Sequence, residues 1–530
     1  MSAPERFNPI LDIVESWASE EPEAVALVSI DAQAESAQSQ TICELALLSR
    51  QMGSALLRLG LTKGARVLIM MSRIPAWYTA MLGTMRIGAV AIPTPNQCTA
   101  RDVTYRIKAA RPAIVIADEA AASRLGDAVA QQDYSSVAHR IVWSPTRTKL
   151  AGWRDLDTLL EEFGHDEVPE DPTASTDPAM IFFTSGTVSY PKMVLHRQSY
   201  ALGHIATARD WHGVGRGDRH WTIADTGWAK AAWGSLFGQW HERATVIQAN
   251  LAKPTAPHIL GIIRAHRITS LCAPPTLYRM LVQEPLDAYD LSCLRHCTAA
   301  GEPLNPEVIR AWQAGTGLTI RDGYGQSEST LLIANTVGMQ IRAGSMGRPV
   351  SGYEVAILDD QAGPLCAGEV GNIAVRAEPR PAGLFSEYLD CEAATRSAFR
   401  AGWYFTGDKA SVDEDGYFWF SSRADDVITS AAYRIGPFEV ESALLEHEAV
   451  MEAAVVGRND PERTQIVCAF VILAKGYVAS DALTRELQQH VKRLTAPYKY
   501  PREIYYCAEL PKTISGKIRR AELRRRLREM

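Results

Sequence analysis

The stretch Ala179-Met-Ile-Phe-Phe-Thr-Ser-Gly-Thr-Val-Ser-Tyr-Pro-Lys192 sets an apolar run directly before a run of hydroxyls, a glycine and a lysine. The apolar half reads as a buried strand. The polar half can wrap phosphate oxygens with backbone N–H groups and side-chain donors. It is not a Walker loop, because that pattern meets Pro191 where it needs glycine and Met193 where it needs the magnesium-binding hydroxyl. Taken alone, the segment also reads as a polar turn joining a strand to a helix.

Upstream of it, apolar strands alternate with helices. Leu45, Leu48, Met52, Leu56 and Leu57 recur at helical spacing between Ile42 and Leu59, and Gly60 ends the run. A strand at Arg66–Met71, a helix at Pro75–Arg86, a strand at Ala89–Pro93, a helix at Ala100–Ala110 and a strand at Ala113–Ala117 follow. Strands apolar on both faces and separated by helices predict a parallel sheet covered on both sides. Downstream the pattern returns with a helix at His258–His266, a strand at Thr269–Ala273, a helix from Thr276 and a strand at Leu294–Ala299.

After about residue 340 the glycines at 344, 347, 352, 363, 368 and 371 punctuate short alternating segments, which reads as an antiparallel, barrel-like region. From about Asp425 a short α+β unit follows, with helices at Phe438–His447 and Asp481–Leu494 and strands at Ala453–Val456 and Ile466–Ile472. The expected division is therefore a large α/β domain of layered parallel sheets plus the barrel-like β region over 1–424, and a small mobile α+β domain over 425–530.

At 530 residues, with 46% hydrophobic and 22% charged, the chain is globular and too long for one core. A net charge of -6 gives no reason to expect nucleic acid as a partner, and the arginines of 519–528 read as a solvated helix face. The apolar stretch from Val67 to Ile92 is cut by Arg73 and Arg86, so no membrane span is expected. The first residues lack the basic start and apolar core of a secretory signal. Nine cysteines, with Cys293 and Cys297 the closest pair, read as reduced thiols rather than a disulfide framework or zinc site. A cytoplasmic protein is expected.

Further motifs follow in order: Ala300-Gly-Glu-Pro303, Asp322-Gly-Tyr-Gly-Gln-Ser-Glu328, Trp403-Tyr-Phe-Thr-Gly-Asp408, Gly416-Tyr-Phe-Trp-Phe-Ser-Ser-Arg423-Ala-Asp425 and Pro511-Lys-Thr-Ile-Ser-Gly-Lys517. A carboxylate beside a hydroxyl and glycines suits Mg²⁺ and a closely approached phosphate. Each motif alone is ordinary. In this order, over nearly the whole chain, they resemble the adenylate-forming superfamily of acyl-CoA synthetases, luciferases and peptide-synthetase adenylation domains. Ala432-Tyr-Arg-Ile-Gly-Pro-Phe-Glu-Val-Glu441, Ala224-Asp-Thr-Gly-Trp228 and Thr495-Ala-Pro-Tyr-Lys-Tyr-Pro501 are most similar to the medium-chain acyl-CoA synthetase branch, with aryl-CoA ligases nearby.

The resemblance implies that a carboxylate attacks the α-phosphate of ATP to give acyl-AMP and pyrophosphate, after which the small domain rotates and the CoA thiol takes the acyl group. It implies that Thr184, Ser185, Gly186, Thr187 and Lys192 cradle the β- and γ-phosphates. Gly301, Glu302, Pro303, Asp322, Gly323, Gly325 and Gln326 would form the ATP site, with Tyr324 stacking on adenine. Ser327 would contact the α-phosphate or acyl carboxylate, Glu328 would hold Mg²⁺, Asp408 and Arg423 would bind ribose, and Arg434 would lie near phosphate. Lys517 would bridge carboxylate and α-phosphate, and Asp425 would be the hinge. Ala431, Ala432, Tyr433, Arg463, Arg493 and Arg502 would receive CoA.

Trp228 and Gly325 would wall the acyl pocket. Acetate-specific relatives carry tryptophan at the position of Gly325, so glycine implies room for a longer or aromatic acid. Asp225 could alternatively pair with a substrate amine. Two residues depart from the family pattern, Ser189 and Ala432, both where glycine is usual. They keep open a second reading, in which the acceptor is a carrier-protein thiol or nitrogen nucleophile, or the acid is inorganic. The presence of Glu328 and Lys517 speaks against a nucleotide-binding pseudoenzyme.

Overall fold

The computed structural model describes residues 3–31, 33, 36–130, 136–164, 168, 173–184, 191–251, 254–302, 304–423, 426–430, 433–513 and 517–529. Two large sheets, each built mainly of parallel strands, contribute to one shared apolar core. The first runs in the order Glu387–Leu389, Met193–Arg197, Pro178–Phe183, Val90–Pro93, Arg66–Met70, Ile114–Asp118, His139–Trp143, Arg154–Asp155. The second runs Arg348–Pro349, Leu331–Ala334, Ile320–Gly325, His296–Ala300, Ser270–Ala273, Arg219–Thr222, Thr245–Ala249, Val25–Ile30, Ala37–Thr41. The central strands are buried on both faces, as their unbroken apolar runs require.

Local chemistry explains the helices that cover these sheets. Thr41 caps the helix Ile42–Arg58 by accepting the Glu44 N–H, and Glu44 answers by accepting the Thr41 N–H, so two orphan donors are satisfied at once. The helix Pro75–Arg86 starts on a proline and is buried all round between sheet and helix, which is why it lacks a polar face. Its own Trp77 and Tyr78, with Trp240 against them, are fully buried, and each ring contributes more burial than any aliphatic neighbour.

The glycine-punctuated region forms the expected antiparallel, half-barrel sheet of Val355–Leu358, Gly371–Arg376, Trp403–Val412 and Phe399–Arg400, with Phe418–Arg423 pairing back on Trp403–Val412. Residues from 426 on carry a separate sheet of Tyr433–Ile435, Ile428–Ser430, Thr464–Leu473 and Val450–Asp460, with Glu503–Tyr506 beside Thr464–Leu473 in parallel. This small unit has its own apolar clusters, one under the helices Pro437–Leu445 and Asp481–Leu494 and one under Arg520–Glu529. It meets the large unit where Phe438 sets its ring edge-on to Phe420, centroids 5.9 Å apart, and where Gly436 rests on the Ser421 carbonyl too closely for a Cβ to fit.

Two features differ from the sequence expectation. The strand Val450–Asp460 is far longer than Ala453–Val456, because its polar end pairs residue for residue with the start of Thr464–Leu473. The N-terminal strand Val25–Ile30 joins the second sheet, parallel to Thr245–Ala249, a pairing across two hundred residues that no local pattern announces.

Candidate active site

A cavity of about 800 Å³ opens between the half-barrel sheet, the second sheet and the small unit. Its wall collects residues from every motif: Thr184 and Lys192, Gly301 and Glu302, the run 322–328, Asp408, Arg423 and Lys517. Strand ends do this work. The run 322–328 leaves the carboxyl end of Ile320–Gly325, next to the parallel strand His296–Ala300 that delivers Gly301 and Glu302.

Asp408 is the best connected of these residues. Its Oδ2 accepts the Tyr324 hydroxyl at 2.6 Å and the Gln326 amide at 2.6 Å, while Tyr404 donates to Gln326 Oε1 at 2.8 Å. Arg423 sits opposite Asp408 in the register of the hairpin. Burial raises the Asp408 pKa, and Arg423 and the two donors pull it back. Thr184 and Lys192 pinch their loop by two bonds: the Thr184 N–H donates to the Lys192 carbonyl at 3.0 Å, and the Lys192 N–H donates to Thr184 Oγ1 at 3.0 Å. Ser185, Gly186, Thr187 and Ser189 lie outside the described residues, as do Pro303, Asp425, Ala431 and Ala432.

Lys517 presents much of its surface to the cavity, but the cavity is walled by protein, and that shortage of bulk water lowers its pKa. Arg423 lowers it further, while Asp408, Glu328 and Glu302 oppose the shift. Its loop is held by the Thr513 N–H donating to the Lys517 carbonyl at 2.7 Å and the Lys517 N–H donating to Thr513 Oγ1 at 3.1 Å. Glu328 has its pKa raised by burial, and its Oε1 accepts the Tyr388 hydroxyl at 2.8 Å. His196 fixes the neighbouring turn through the Ser327 carbonyl, 2.7 Å from its Nε2. Glu302 accepts the Thr276 N–H at 2.8 Å, and burial pushes Asp322 up to about 8.

Not every expected residue faces this cavity. Trp228 is half-buried ahead of the helix Ala229–Ser235 and is absent from the cavity wall. Tyr433, Arg463, Arg493 and Arg502 also stand off it, on the small unit, where Tyr433 stacks on Tyr498 at 4.0 Å. Arg434 lies on the strand Tyr433–Ile435 opposite Thr429. Asp225 is half-buried; desolvation raises its pKa, and the Gly227 N–H that it accepts at 3.0 Å, with Arg73 and Arg106, offsets only part of the rise.

Sequence reasoning passed over three residues. Tyr388, on the strand Glu387–Leu389, lies beneath the Lys192 ammonium at 4.5 Å. Trp233 fills the space that Gly325 leaves, so that a Cβ at 325 would stand 2.5 Å from its ring and from the Thr330 carbonyl. Lys230, half-buried on the same short helix, donates to the Ala300 carbonyl at 2.8 Å. A lysine and a tryptophan one turn apart in an apolar helix were the available signal.

The profile of the AMP-binding enzymes matches residues 14–389, and that of the AMP-binding enzyme C-terminal domain matches residues 439–517. The chain belongs to the AMP-binding enzyme family. Within this family it lies on the medium-chain acyl-CoA synthetase branch, and it is an AMP-forming acid–CoA ligase using ATP, Mg²⁺ and CoA. The human mitochondrial acyl-coenzyme A synthetase ACSM5 (Homo sapiens) is 45% identical over 469 residues, 88% of this chain and 80% of that one.

Among solved structures, the anthranilate CoA ligase AuaEII in complex with anthranoyl-AMP superposes with a TM-score of 0.89 at 29% identity, over 99% of this chain and 98% of that one. A benzoate CoA ligase from Burkholderia xenovorans LB400 gives 0.86 at 28%, over 98% of this chain and 100% of that one. These names favour CoA over the carrier-protein, nitrogen and inorganic-acid readings. Among the described residues no helix is long and apolar enough to cross a membrane, and no group of three His, Cys, Asp or Glu side chains could hold a metal ion by itself.

Proposed function

We propose that this AMP-binding enzyme activates a medium-chain or aromatic carboxylic acid, with ATP and acid held by residues 1–424 and with residues 425–530 turning between two poses about Asp425. The observation that carries this reading is that Lys517 of the small unit shares one cavity with Glu328, Asp408, Arg423, Thr184 and Lys192 of the large one. In the first step a carboxylate oxygen attacks the α-phosphorus of ATP, the bond to the bridging oxygen breaks, and pyrophosphate leaves. The obstacle is the meeting of two anions, which preorganised cations and donors in a water-poor site relieve.

Lys517 bridges the carboxylate and the α-phosphate, a task suited to a point charge on a long stem. Thr184, Ser185, Gly186, Thr187 and Lys192 take the outer phosphates, with Arg434 near them, and Ser327 takes the α-phosphate or carboxylate. Tyr324 lies against adenine, in a site completed by Gly301, Glu302, Pro303, Asp322, Gly323 and Gln326. Asp408 and Arg423 hold the ribose. Mg²⁺ suits Glu328: one carboxylate on the cavity wall, with one oxygen engaged by Tyr388, matches an ion that would rest on few protein ligands and take the rest from phosphate and water. When bound, the ion offsets phosphate charge.

In the second step the CoA sulfur attacks the acyl carbon and AMP departs. Tyr433, Arg463, Arg493 and Arg502 stand off the cavity while Lys517 faces it, which supports a turn of the small unit that exchanges the two faces together with Ala431 and Ala432. The acid's apolar part is assigned to the cavity wall at Gly325, which Trp233 backs from the apolar cluster of Trp211, Cys272, Ala300 and Leu331. The cytoplasm is the proposed place of work; cell fractionation tests it, since ACSM5 is named mitochondrial.

Pyrophosphate release with straight-chain and aromatic acids of graded size, with and without CoA, tests the whole reading. Equal yields of pyrophosphate and acyl-CoA, best with acids longer than acetate, are expected. Pyrophosphate without acyl-CoA, or a preference for acetate, would refute it.

A further inference from the structure

Arg520 opens the final helix, Arg520–Glu529, just beyond Lys517. Its Nη2 meets both oxygens of Glu441 at 2.8 Å, and its Nη1 lies 3.5 Å from Asp426 Oδ2. Arg524, one turn on, takes the other Asp426 oxygen at 2.8 Å. Glu441 also accepts the Val455 N–H at 2.8 Å, so the clamp is tied into the longest hairpin of the small unit. The carboxylates are 8% and 10% exposed and Arg520 22%, a degree of shielding that makes a paired guanidinium far stiffer than a surface ion pair.

Asp426 has a second attachment. Its N–H donates to the Arg423 carbonyl at 3.1 Å, and Arg423 faces Asp408 across its hairpin. Asp426, Glu441 and Arg520 line the same cavity as Lys517. A short physical path thus runs from the strand carrying Arg423, through Asp426 and the Arg520 guanidinium, to the base of the Lys517 loop. The other base of that loop is pinned by Lys512 on Glu452 at 2.8 Å.

We propose that Arg520, clamped between Glu441 and Asp426, is a positioning residue that sets the reach of Lys517 into the cavity from the pivot of the small unit. This rests on reading Lys517 as the cation of the adenylation step. The clamp lies wholly within residues 426–520, so it travels with the small unit and serves the pose in which Lys517 faces the cavity. Displacing a reacting group by about an ångström costs on the order of a hundredfold in rate, so a slackened loop registers in turnover before it registers in binding.

The test uses the full chain with Arg520→Gln, Arg520→Lys, Asp426→Asn and, as reference, Lys517→Ala. Adenylation is read as ATP–pyrophosphate exchange with the best acid, and transfer as acyl-CoA formed from synthetic acyl-AMP and CoA. Arg520→Gln is expected to lower exchange kcat roughly ten- to a hundredfold, leaving the KM of ATP and acid and the transfer rate unchanged. Arg520→Lys recovers part of the loss. Asp426→Asn, which keeps the Glu441–Arg520 pair, shows a smaller loss of the same kind and decides the matter alone if Arg520→Gln does not fold. Wild-type exchange in Arg520→Gln and Asp426→Asn, or equal loss in both half-reactions, would overturn the proposal while Lys517→Ala still abolishes exchange. Exchange that survives Lys517→Ala would instead overturn the reading of Lys517 itself.

Discussion

The Tyr388 hydroxyl donates to Glu328 Oε1 at 2.8 Å, and the ring that carries it lies 4.5 Å below the Lys192 ammonium. One side chain therefore orients both the carboxylate assigned to Mg²⁺ and the lysine of the phosphate loop. Tyr388→Phe keeps the ring and removes the hydroxyl. The Mg²⁺ concentration for half-maximal adenylation is expected to rise by about 10–100-fold, as for other groups that orient a metal ligand, with the ATP KM at saturating Mg²⁺ unchanged. A magnesium titration of pyrophosphate exchange checks this.

Lys517→Ala is expected to lose adenylation by orders of magnitude and to leave acyl transfer from supplied acyl-AMP nearly intact. Because the protein-walled cavity first, and Arg423 second, lower the Lys517 pKa, the alkaline limb of the exchange rate should fall at a lower pH than an ordinary lysine would dictate. Lys517→Arg should move that limb upward even if its maximum is reduced. A pH–rate profile for both enzymes reads the shift.

Asp322 carries a stability signature. Its folded pKa stands near 8 because burial outweighs the Gly323 and Leu304 N–H donors and Lys230, against an ordinary carboxyl value of 3.8. The folded state therefore keeps a proton that the unfolded chain releases, and stability falls as pH rises from about 4 through about 8. Asp322→Asn, neutral at every pH, should remove that slope, so the Tm difference between variant and wild type widens in the variant's favour toward alkaline pH. Parallel melting curves from pH 5 to 9 would refute it.

A tryptophan at 325, which the sequence suggested as a way to shorten the pocket, has no room: Trp233 and the Thr330 carbonyl already occupy the approach. The informative change is Trp233→Ala. Opening that buried site is expected to cost about 3–5 kcal/mol in stability and to shift kcat/KM toward bulkier acids. A substrate profile unchanged by the loss of this ring would place the pocket wall elsewhere.

The sequence made the parallel layers legible because strands such as Arg66–Met70 and Ile114–Asp118 are buried on both faces and so read as unbroken apolar runs. It also put Asp408, Arg423 and Lys517 forward as individuals, since each sits in a motif. Tyr388 was invisible for a physical reason: its strand is three residues long and gains its partner, Met193–Arg197, only by pairing across the chain. Trp233 was passed over because it is a core residue of a short apolar helix; only the bare Cα of Gly325 beside it turns a packing residue into a wall. Arg520 read as part of a solvated helix face because nothing local says that it meets Asp426 and Glu441.

Gly436 has an ordinary φ of −76°, so it is glycine for space and not for backbone freedom. The space it vacates is filled by the Ser421 carbonyl of the other unit. A methyl group there would strain only the arrangement in which these two segments touch, leaving each unit's own core intact. Under the proposed turn of the small unit, position 436 is thus a population dial: a single carbon atom would redistribute molecules between the two proposed poses, trading the speed of one half-reaction against the other without touching a substrate.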